Sequence, residues 1–263
     1  MNDSNANNPD GNVIFSGTKE VAENLRFNES GLQEWFGDNI SSAGKILKIA
    51  QFKGGQSNPT YKITTEKQQF VLRRKPPGIL LPSAHAVDRE YKVMTALQQT
   101  EVPVPKTYGL CEDEDVIGTP FFVMDFLDGN IYWDLLLGDK SPAERSNIYA
   151  SKNNVIAQLH MVDYESVGLS DYGKPGNYIA RQVSRWTKQY IASETQDIPA
   201  MNKLIDWLPS NIPDEDETSI VHGDYRLDNM VFNANNNVMG VLDWELSTLG
   251  HPIADFNLSL IHI

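Results

Sequence analysis

The sequence predicts an α+β fold in two lobes, the first built on a five-stranded antiparallel sheet and the second mainly helical. Three observations predict it: alternating apolar segments with short turns at 45–74, two further strand-like segments before residue 128, and helical periodicity from residue 141 onward. With 263 residues, 40% of them hydrophobic, the chain can bury a core of this size. We therefore expect lobes of residues 29–128 and 129–263.

The start of the chain has the composition of a tail. Residues 1–28 are rich in Asn, Asp, Gly and Ser, which predicts a disordered segment ending in a short apolar contact at Leu25 and Phe27. The ordered fold is then expected to begin with a helix in SGLQEWFGDNI. There Ser30 and Gln33 have the spacing of a capping box.

The first lobe is predicted to contain five strands and one inserted helix. Strands are expected near 45–53, 59–65 and 68–74, and two more in PKTYGLCEDE and PFFVMDFL. Between them, SAHAVDREYKVMTALQQ has apolar residues four, three and three positions apart, which is the spacing of a helix.

The second lobe is predicted to contain three helices and short apolar strands. SPAERSNIYASKNNVIAQLHMVD begins with Ser141 and Glu144 at capping-box spacing, and RQVSRWTKQYIA and PAMNKLIDWLP follow. Short strands are expected around 220–221, 230–232 and 238–242. The tryptophans are most simply core residues, namely Trp35, Trp186 and Trp207.

Composition argues against several classes of partner. The chain has 22 basic and 35 acidic residues, a net charge of −13, which disfavours nonspecific binding to nucleic acid or anionic membrane. One cysteine, Cys111, allows neither an internal disulfide nor a zinc site of several thiols. Neither a signal peptide nor a run of about 20 apolar residues is found. We expect a cytoplasmic protein.

Three oxygen-bearing side chains dominate the second lobe. HGDYRLDN places Asp224 and Asn229 five residues apart, and Asp243 follows in VLDWE. Magnesium takes hard oxygen donors and usually only one or two protein carboxylates, so Asn229 and Asp243 fit such a site. Asp224 would then be free to accept a proton from an attacking hydroxyl. These residues could instead be turn and capping residues, but turn chemistry does not explain the spacing to Asp243.

The same motifs carry a resemblance. The spacing from Asp224 to Asn229 matches the catalytic loop of kinases. HGDYRLDN followed by VLDWELSTLGHPIADF resembles the motif pair of the aminoglycoside phosphotransferase and choline kinase superfamily of small-molecule kinases. With FVLRRKPPGILLPSAHAVDREY, it is most similar to the kinase-like domain related to the amino-terminal part of acyl-CoA dehydrogenase family members. The resemblance covers roughly residues 30–260.

This resemblance implies a bilobal protein-kinase-like fold that uses ATP and Mg²⁺. It implies that Asp224 is the catalytic base and that Asn229 and Asp243 bind magnesium. It also implies that FFVMDFLDG is the hinge, where the Asp125 carbonyl and the Leu127 amide would read adenine beside Met124. A buried strand is the alternative interpretation of that segment, and both can hold.

The first hairpin is a candidate phosphate loop. In GGQSNPTY, Gly54 and Gly55 allow close backbone approach, and Ser57 and Asn58 can donate hydrogen bonds. A Gly-Gly hairpin is also an ordinary turn. This one lies between the first two strands, as the nucleotide loop of kinases does.

The third strand offers three consecutive cations in FVLRRKP. Strand alternation places Arg73 and Lys75 on one face and Arg74 on the other, with a one-residue shift of register left open. Arg73 is the best candidate for the phosphate-binding lysine role, since a guanidinium can hold phosphate with two donors. We expect the other two cations to be solvated. Glu90 would pair with Arg73 from the inserted helix, or be a surface residue.

The sequence therefore predicts ATP-dependent phosphoryl transfer to a hydroxyl of a small molecule. The resemblance points to a hydroxyacyl compound or its coenzyme A thioester as acceptor, ahead of aminoglycosides or choline-like compounds. The alternative is a noncatalytic nucleotide-binding module or an inactive kinase fragment. The chain stops soon after Asp243 in FNLSLIHI, which resembles an interrupted helix without a stop signal and predicts missing C-terminal helices. Their absence would expose an apolar surface that either pairs two copies as a homodimer or promotes aggregation. A fragment of a longer gene product is the alternative interpretation.

Overall fold

A computed structural model describes residues 16–54, 57–78, 85–214 and 217–256. Its strands are β1 (Thr18–Lys19), β2 (Ile46–Phe52), β3 (Thr60–Thr65), β4 (Gln69–Arg74), β5 (Thr107–Cys111), β6 (Phe121–Asp125), β7 (Ser219–Val221), β8 (Met230–Phe232), β9 (Val238–Val241) and β10 (Thr248–Gly250). Its α-helices are α1 (Glu29–Asn39), α2 (Val87–Leu97), α3 (Glu114–Ile117), α4 (Pro142–His160), α5 (Tyr178–Ser193) and α6 (Pro199–Trp207).

The sheet of the first lobe has six strands, not the predicted five. Its order is β1-β2-β3-β4-β6-β5, with every neighbouring pair antiparallel. The additional strand comes from the segment predicted as a tail, since Thr18 and Lys19 pair with the end of β2. The hydroxyl of Tyr61 donates to the Leu25 carbonyl at 3.0 Å, which fastens this segment to the sheet. A two-residue strand is too short to show alternation, and residues 1–15 lie outside the described part.

Helix caps follow the prediction at one helix and differ at another. Ser141 and Glu144 form the predicted capping box of α4, in which each side chain bonds the backbone of the other residue. At α1 the predicted capping box is wrong. The cap is Asn28, whose side chain accepts from the Gly31 amide, while Gln33 accepts from the Ile46 amide of β2.

Strand β4 is buried on both faces and divides the core of the first lobe. On one face Phe70 and Leu72 pack in the cluster of α1 that includes Leu32 and Phe36. On the other face Val71 belongs to the cluster shared with α2 and the second lobe. Because side chains alternate along a strand, Arg73 points to the same side as Val71 and so towards the second lobe.

Arg74 corrects the expectation that two of the three cations of β4 are solvated. Its side chain is buried: one nitrogen donates to the Ile117 carbonyl at 3.2 Å, and the guanidinium lies 5.2 Å from the ring centre of Phe27. A guanidinium tolerates burial when its donors find carbonyls and its face finds an aromatic ring. Lys75 lies beyond the strand, 3.8 Å from Asp88.

The second lobe carries its functional loops on two small sheets. Strand β7 pairs with β10 and β8 pairs with β9, both antiparallel. Helix α4 packs against β7 and β9. The predicted lobe boundary near residue 128 falls just after β6 and stays a prediction. Among the described residues, none of the helices combines the length and apolar character needed to cross a membrane.

Helices α5 and α6 are amphipathic, but neither buries a residue. Trp186 is 62% exposed and Trp207 56%, so the prediction that both are core residues is wrong, whereas Trp35 packs edge-on against Phe121. Ile191 is exposed as well. The predicted interrupted helix FNLSLIHI begins at Phe256, and beyond that residue it lies outside the described part of the chain.

Candidate active site

A cleft of about 370 Å³ opens between the sheet and the small strands of the second lobe. Its walls are apolar, with Val71 and Met124 on the sheet side and Val231 on the opposite side. Asn229 and Asp243 line one part of it. A mainly apolar cleft of this volume with a few convergent polar groups is typical of a small-molecule site.

Asp224 and Asn229 lie together on the loop between β7 and β8. The Asn229 Nδ2 atom donates to the Asp224 Oδ2 atom at 2.8 Å and to its carbonyl oxygen at 2.9 Å. On the other side, Arg226 Nε lies 3.4 Å from Asp224 Oδ1, and the same guanidinium pairs with Asp228. One oxygen of the Asp224 carboxylate is therefore held by a hydrogen bond, and the other faces the Arg226 guanidinium. Because its Nδ2 faces Asp224, Asn229 keeps its Oδ1 atom as a possible metal ligand.

His222 joins this loop to the segment that carries Asp243. Its ring is fully buried, with Nε2 2.8 Å from the Leu242 carbonyl and Nδ1 accepting from the Asp224 amide at 3.2 Å. A carbonyl oxygen only accepts and an amide only donates, so the two partners select the neutral ring with its proton on Nε2. The histidine thereby fixes the position of Asp224 relative to Asp243.

Asp255 stabilises the same loop by accepting hydrogen bonds from its backbone. Its carboxylate is fully buried and accepts from the amides of His222 and Gly223, each at 2.7 Å, and from His160 Nε2 at 3.1 Å. A buried carboxylate is costly unless donors satisfy it, and here three donors converge on it. His160 of helix α4 is one of these donors.

Asp243 and Asn229 form the candidate magnesium site. Asp243 follows β9 in a left-handed conformation, with φ 63° and ψ 57°. In the described part of the chain, no group of three or more His, Cys, Asp or Glu is arranged to hold a metal ion. One carboxylate and one carboxamide instead fit a magnesium ion that takes its remaining ligands from phosphate and water.

Arg73 is the centre of a buried charge cluster. Its Nε atom lies 2.8 Å from Glu90 Oε2, a second nitrogen pairs with Asp243, and the same nitrogen lies 3.7 Å from Glu245 Oε2. Burial lowers the pKa of Arg73, but the three carboxylates outweigh it and leave the pKa raised. Burial raises the pKa of Glu90 to about 7, against the lowering effect of Arg73. The structure thus brings Arg73 and Glu90 together beside Asp243.

The candidate phosphate loop is only partly as expected. Gly54 lines the cleft, Ser57 is half-buried, and Gly55 lies outside the described residues. Asn58, predicted to donate to phosphate, is fully buried and instead donates to Glu245 Oε2 at 3.2 Å. Its carboxamide is therefore engaged by the protein itself.

The three predicted hinge residues all line the cleft: Met124, Asp125 and Leu127. The Asp125 side chain accepts from the hydroxyl of Tyr108 at 2.7 Å. Because the Asp125 carboxylate is bonded to Tyr108, we expect any adenine contact at Asp125 to be made by its main-chain atoms.

The phosphotransferase enzyme family matches residues 48–263. The chain belongs to this family. Acyl-CoA dehydrogenase family member 11 from Homo sapiens is 47% identical over 249 residues, which are 91% of this chain and 32% of that protein. The phosphotransferase chain therefore spans about a third of the length of this curated relative.

Solved structures share the fold. One is the crystal structure of a Ralstonia eutropha protein whose name assigns it provisionally to the aminoglycoside phosphotransferases. It is 54% identical, with a TM-score of 0.80, and the match covers 88% of this chain and 68% of that one. The ternary complex of APH(2″)-IIa with streptomycin and ATP has a TM-score of 0.61 at 19% identity and covers 88% and 75% of the two chains. The phosphotransferase fold of this chain is thus the kinase-like one that the sequence resemblance implied.

Three residues of the phosphotransferase site escaped sequence reasoning. Arg226 stands inside HGDYRLDN, where a cation two positions after Asp224 could have been noticed. Glu245 stands two positions after Asp243 in VLDWE. Asp255 follows Asp243 by 12 positions in an apolar segment, and no spacing rule marks it. The acid in IADF is the signal that could have found it, because an acid among apolar residues is often a buried, bonded carboxylate.

Gly223 is required by both backbone conformation and space. It has φ 83°, and a Cβ atom there would lie 2.7 Å from the Leu246 carbonyl oxygen. We expect Gly223→Ala to lower the unfolding free energy by about 3 kcal/mol, from the left-handed backbone and the clash together. Gly168, with φ 80° and nothing within 4 Å of its Cβ position, is the matched control, and Gly168→Ala should cost about 1 kcal/mol. Urea unfolding compares the two, and equal losses would contradict the clash.

Glu90 should make stability depend on pH. Its folded-state pKa of about 7 lies above its ordinary value of 4.5, so between these values the folded protein binds more protons than the unfolded chain. The unfolding free energy should therefore fall as pH rises through this window, by roughly 3 kcal/mol from this group. Glu90→Gln cannot titrate, and the difference between wild type and variant should change by that amount between pH 4.5 and 7. A constant difference would show that Glu90 does not titrate there.

Proposed function

We propose that this chain is an ATP-dependent phosphotransferase that moves the γ-phosphoryl group to a hydroxyl of a small molecule. One observation carries the proposal: Asn229, which donates to Asp224, lines the same cleft as Arg73, Glu90 and Asp243. The lining of this cleft also includes Met124, Asp125 and Leu127 of the predicted hinge. The ATP in the complex of a structural neighbour adds support.

In the proposed reaction the acceptor oxygen attacks the γ-phosphorus atom, and the bond from that atom to the β–γ bridging oxygen breaks. The acceptor proton passes to the Asp224 carboxylate, and ADP leaves with the bridging oxygen. Arg226 Nε, 3.4 Å from Asp224 Oδ1, helps to keep the carboxylate oriented. Catalysis of this type comes mainly from positioning and from compensation of charge.

Asn229 Oδ1 and the Asp243 carboxylate would hold Mg²⁺. When bound, the ion neutralises charge on the phosphates. Arg73 pairs with Asp243. With metal and nucleotide bound, the Asp243 carboxylate would serve the metal and the Arg73 guanidinium would serve phosphate oxygens, so this side-chain contact would be exchanged.

The acceptor we propose is a hydroxyacyl compound or its coenzyme A thioester, with aminoglycoside or choline-like acceptors ranked below it. Support comes from the sequence resemblance and from the acyl-CoA dehydrogenase name of a relative that is 47% identical. The test is magnesium-dependent ADP release with a panel of hydroxy acids, their thioesters, amino alcohols and aminoglycosides. Turnover with an aminoglycoside alone would overturn this choice.

A noncatalytic nucleotide-binding module is the second candidate. It is favoured by the engagement of Arg73 with three carboxylates through Nε and one terminal nitrogen, since a guanidinium held by these acids is less available to phosphate. Mg-ATP binding without turnover on any acceptor of the panel would support the module. ADP release that depends on both acceptor and Asp224 would exclude it.

We also propose that the second lobe forms a homodimer through α5 and α6. The support is their exposed apolar side chains: Trp186, Ile191, Leu204 and Trp207. Large exposed apolar side chains on two amphipathic helices are typical of an interaction surface. Sedimentation equilibrium should show a dimer that Trp186→Glu dissociates, and a monomer at all concentrations would overturn the proposal.

A further inference from the structure

Asn58 and Glu245 connect the two lobes beside the charge cluster. Asn58 lies just before β3 and is fully buried, and its Nδ2 atom donates to Glu245 Oε2 at 3.2 Å. The two residues are 187 positions apart in the sequence. A buried carboxamide that loses its partner costs the full desolvation of that group, so the contact resists separation of the lobes.

The other end of the Asn58 carboxamide is also engaged. Its Oδ1 atom lies 3.0 Å from His85 Nδ1, and since the carboxamide oxygen only accepts, the histidine donates. His85 has a positive φ of 59° and lies two positions before α2, the helix that carries Glu90. The carboxamide orientation is therefore fixed from both sides, with Nδ2 towards Glu245.

Glu245 is joined rigidly to Asp243. Both belong to the turn around Trp244, whose ring is fully buried and whose Nε1 atom donates to the Val241 carbonyl at 3.0 Å. A shift of Glu245 must therefore shift Asp243 as well. Glu245 Oε2 lies 3.7 Å from Arg73, too far for a hydrogen bond, so its close polar partner is Asn58.

We propose that Asn58 and Glu245 form an interlobe tether that holds the turn of Asp243 opposite Arg73, so that both side chains can reach the metal–nucleotide complex when it binds. Both are positioning residues, and Asn58 does not contact phosphate. The inference rests on the proposed function, because it assigns the tether to the site where Mg-ATP would bind. It also explains why an asparagine expected on a phosphate loop is fully buried.

The test exchanges the hydrogen-bond donor and acceptor between positions 58 and 245. Asn58→Asp sets two carboxylates against each other, and we expect the Kd for Mg-ATP, measured by calorimetry, to rise about tenfold or more. Glu245→Gln alone keeps an oxygen that accepts from Asn58, so its Kd should stay within about threefold of wild type. In the double variant Asn58→Asp with Glu245→Gln, the glutamine donates to the aspartate at unchanged net charge, and the Kd should return to within about threefold.

Lys92→Gln is the matched control. Lys92 of α2 pairs with Asp171 of the second lobe at 2.6 Å, an exposed interlobe contact away from the charge cluster. Its loss should leave the Kd unchanged, because exposed pairs contribute little. A Glu245→Gln variant as weak as Asn58→Asp would mean that Glu245 acts through its charge and would overturn the tether. The tether would also be overturned if the double variant unfolds at the same temperature as Lys92→Gln but its Kd for Mg-ATP does not return towards the wild-type value.

The two proposals fail differently. A wild-type chain that does not bind Mg-ATP contradicts the proposed function, and the inference with it. A wild-type chain that binds Mg-ATP as tightly as the Asn58→Asp variant contradicts only the tether.

Discussion

Asp224→Asn should abolish nearly all turnover while leaving Mg-ATP binding almost intact. The asparagine keeps the shape of the side chain but cannot accept the acceptor proton, and loss of a positioned base costs about 10²–10⁴-fold in kcat. The Asp224 side chain contacts Asn229 and Arg226 and, among the described residues, forms no hydrogen bond or ion pair with Arg73 or the hinge. We therefore expect the Kd for Mg-ATP to change by about threefold or less. Acceptor-dependent ADP release and calorimetry measure the two effects separately.

Asp228→Asn is the matched control for this variant. Asp228 stands on the same loop and pairs with the same guanidinium of Arg226, so its replacement removes an equal charge close to Asp224. Its carboxyl has a pKa raised mainly by burial, and no proton transfer is assigned to it. We expect kcat to fall less than tenfold. Equal losses in the two variants would mean that the charge of the loop, and not the base, is what turnover needs.

The parts of the site that sequence predicted are those set by local periodicity. Strand alternation alone placed Arg73 on the opposite face from Arg74, and helical spacing placed Glu90 on the buried side of α2; the ion pair at 2.8 Å agrees with both. The first three predicted strands of the first lobe lie within about one residue of their expected bounds, and the last two are shorter than the predicted segments. Local rules suffice where one face of an element must be buried.

The parts that sequence missed depend on contacts between distant segments. Three contacts join segments that no periodicity relates. They are the hydrogen bond from Asn58 to Glu245, the hydrogen bonds from the Asp224 loop to Asp255, and the pairing of Thr18–Lys19 with β2. The same holds for Arg74, whose burial depends on a carbonyl of α3. From sequence alone, a buried polar residue of this kind cannot be distinguished from a surface residue, because its hydrogen-bond partners come from distant segments.

Asp255→Asn should disable the active site without touching a reacting atom. Three donors converge on the carboxylate: the amides of His222 and Gly223, and His160 Nε2. A carboxamide has one oxygen, so in either orientation its NH₂ group faces at least one of these donors. We expect the unfolding free energy to fall by about 3 kcal/mol, from one lost charge-assisted bond and one unsatisfied buried amide.

The effect on catalysis should exceed the effect on nucleotide binding, because the displaced backbone carries Asp224 whereas the hinge lies in the other lobe. A kcat lowered by at least about 100-fold in the folded variant, with the Kd for Mg-ATP changed by less than tenfold, is the expected pattern. Asp171→Asn removes an exposed acid and should leave stability and kcat unchanged. If Asp255→Asn at a temperature where it is fully folded keeps the wild-type kcat, Asp255 supports only the fold, and the catalytic loop holds its geometry through His222 and Asn229 alone.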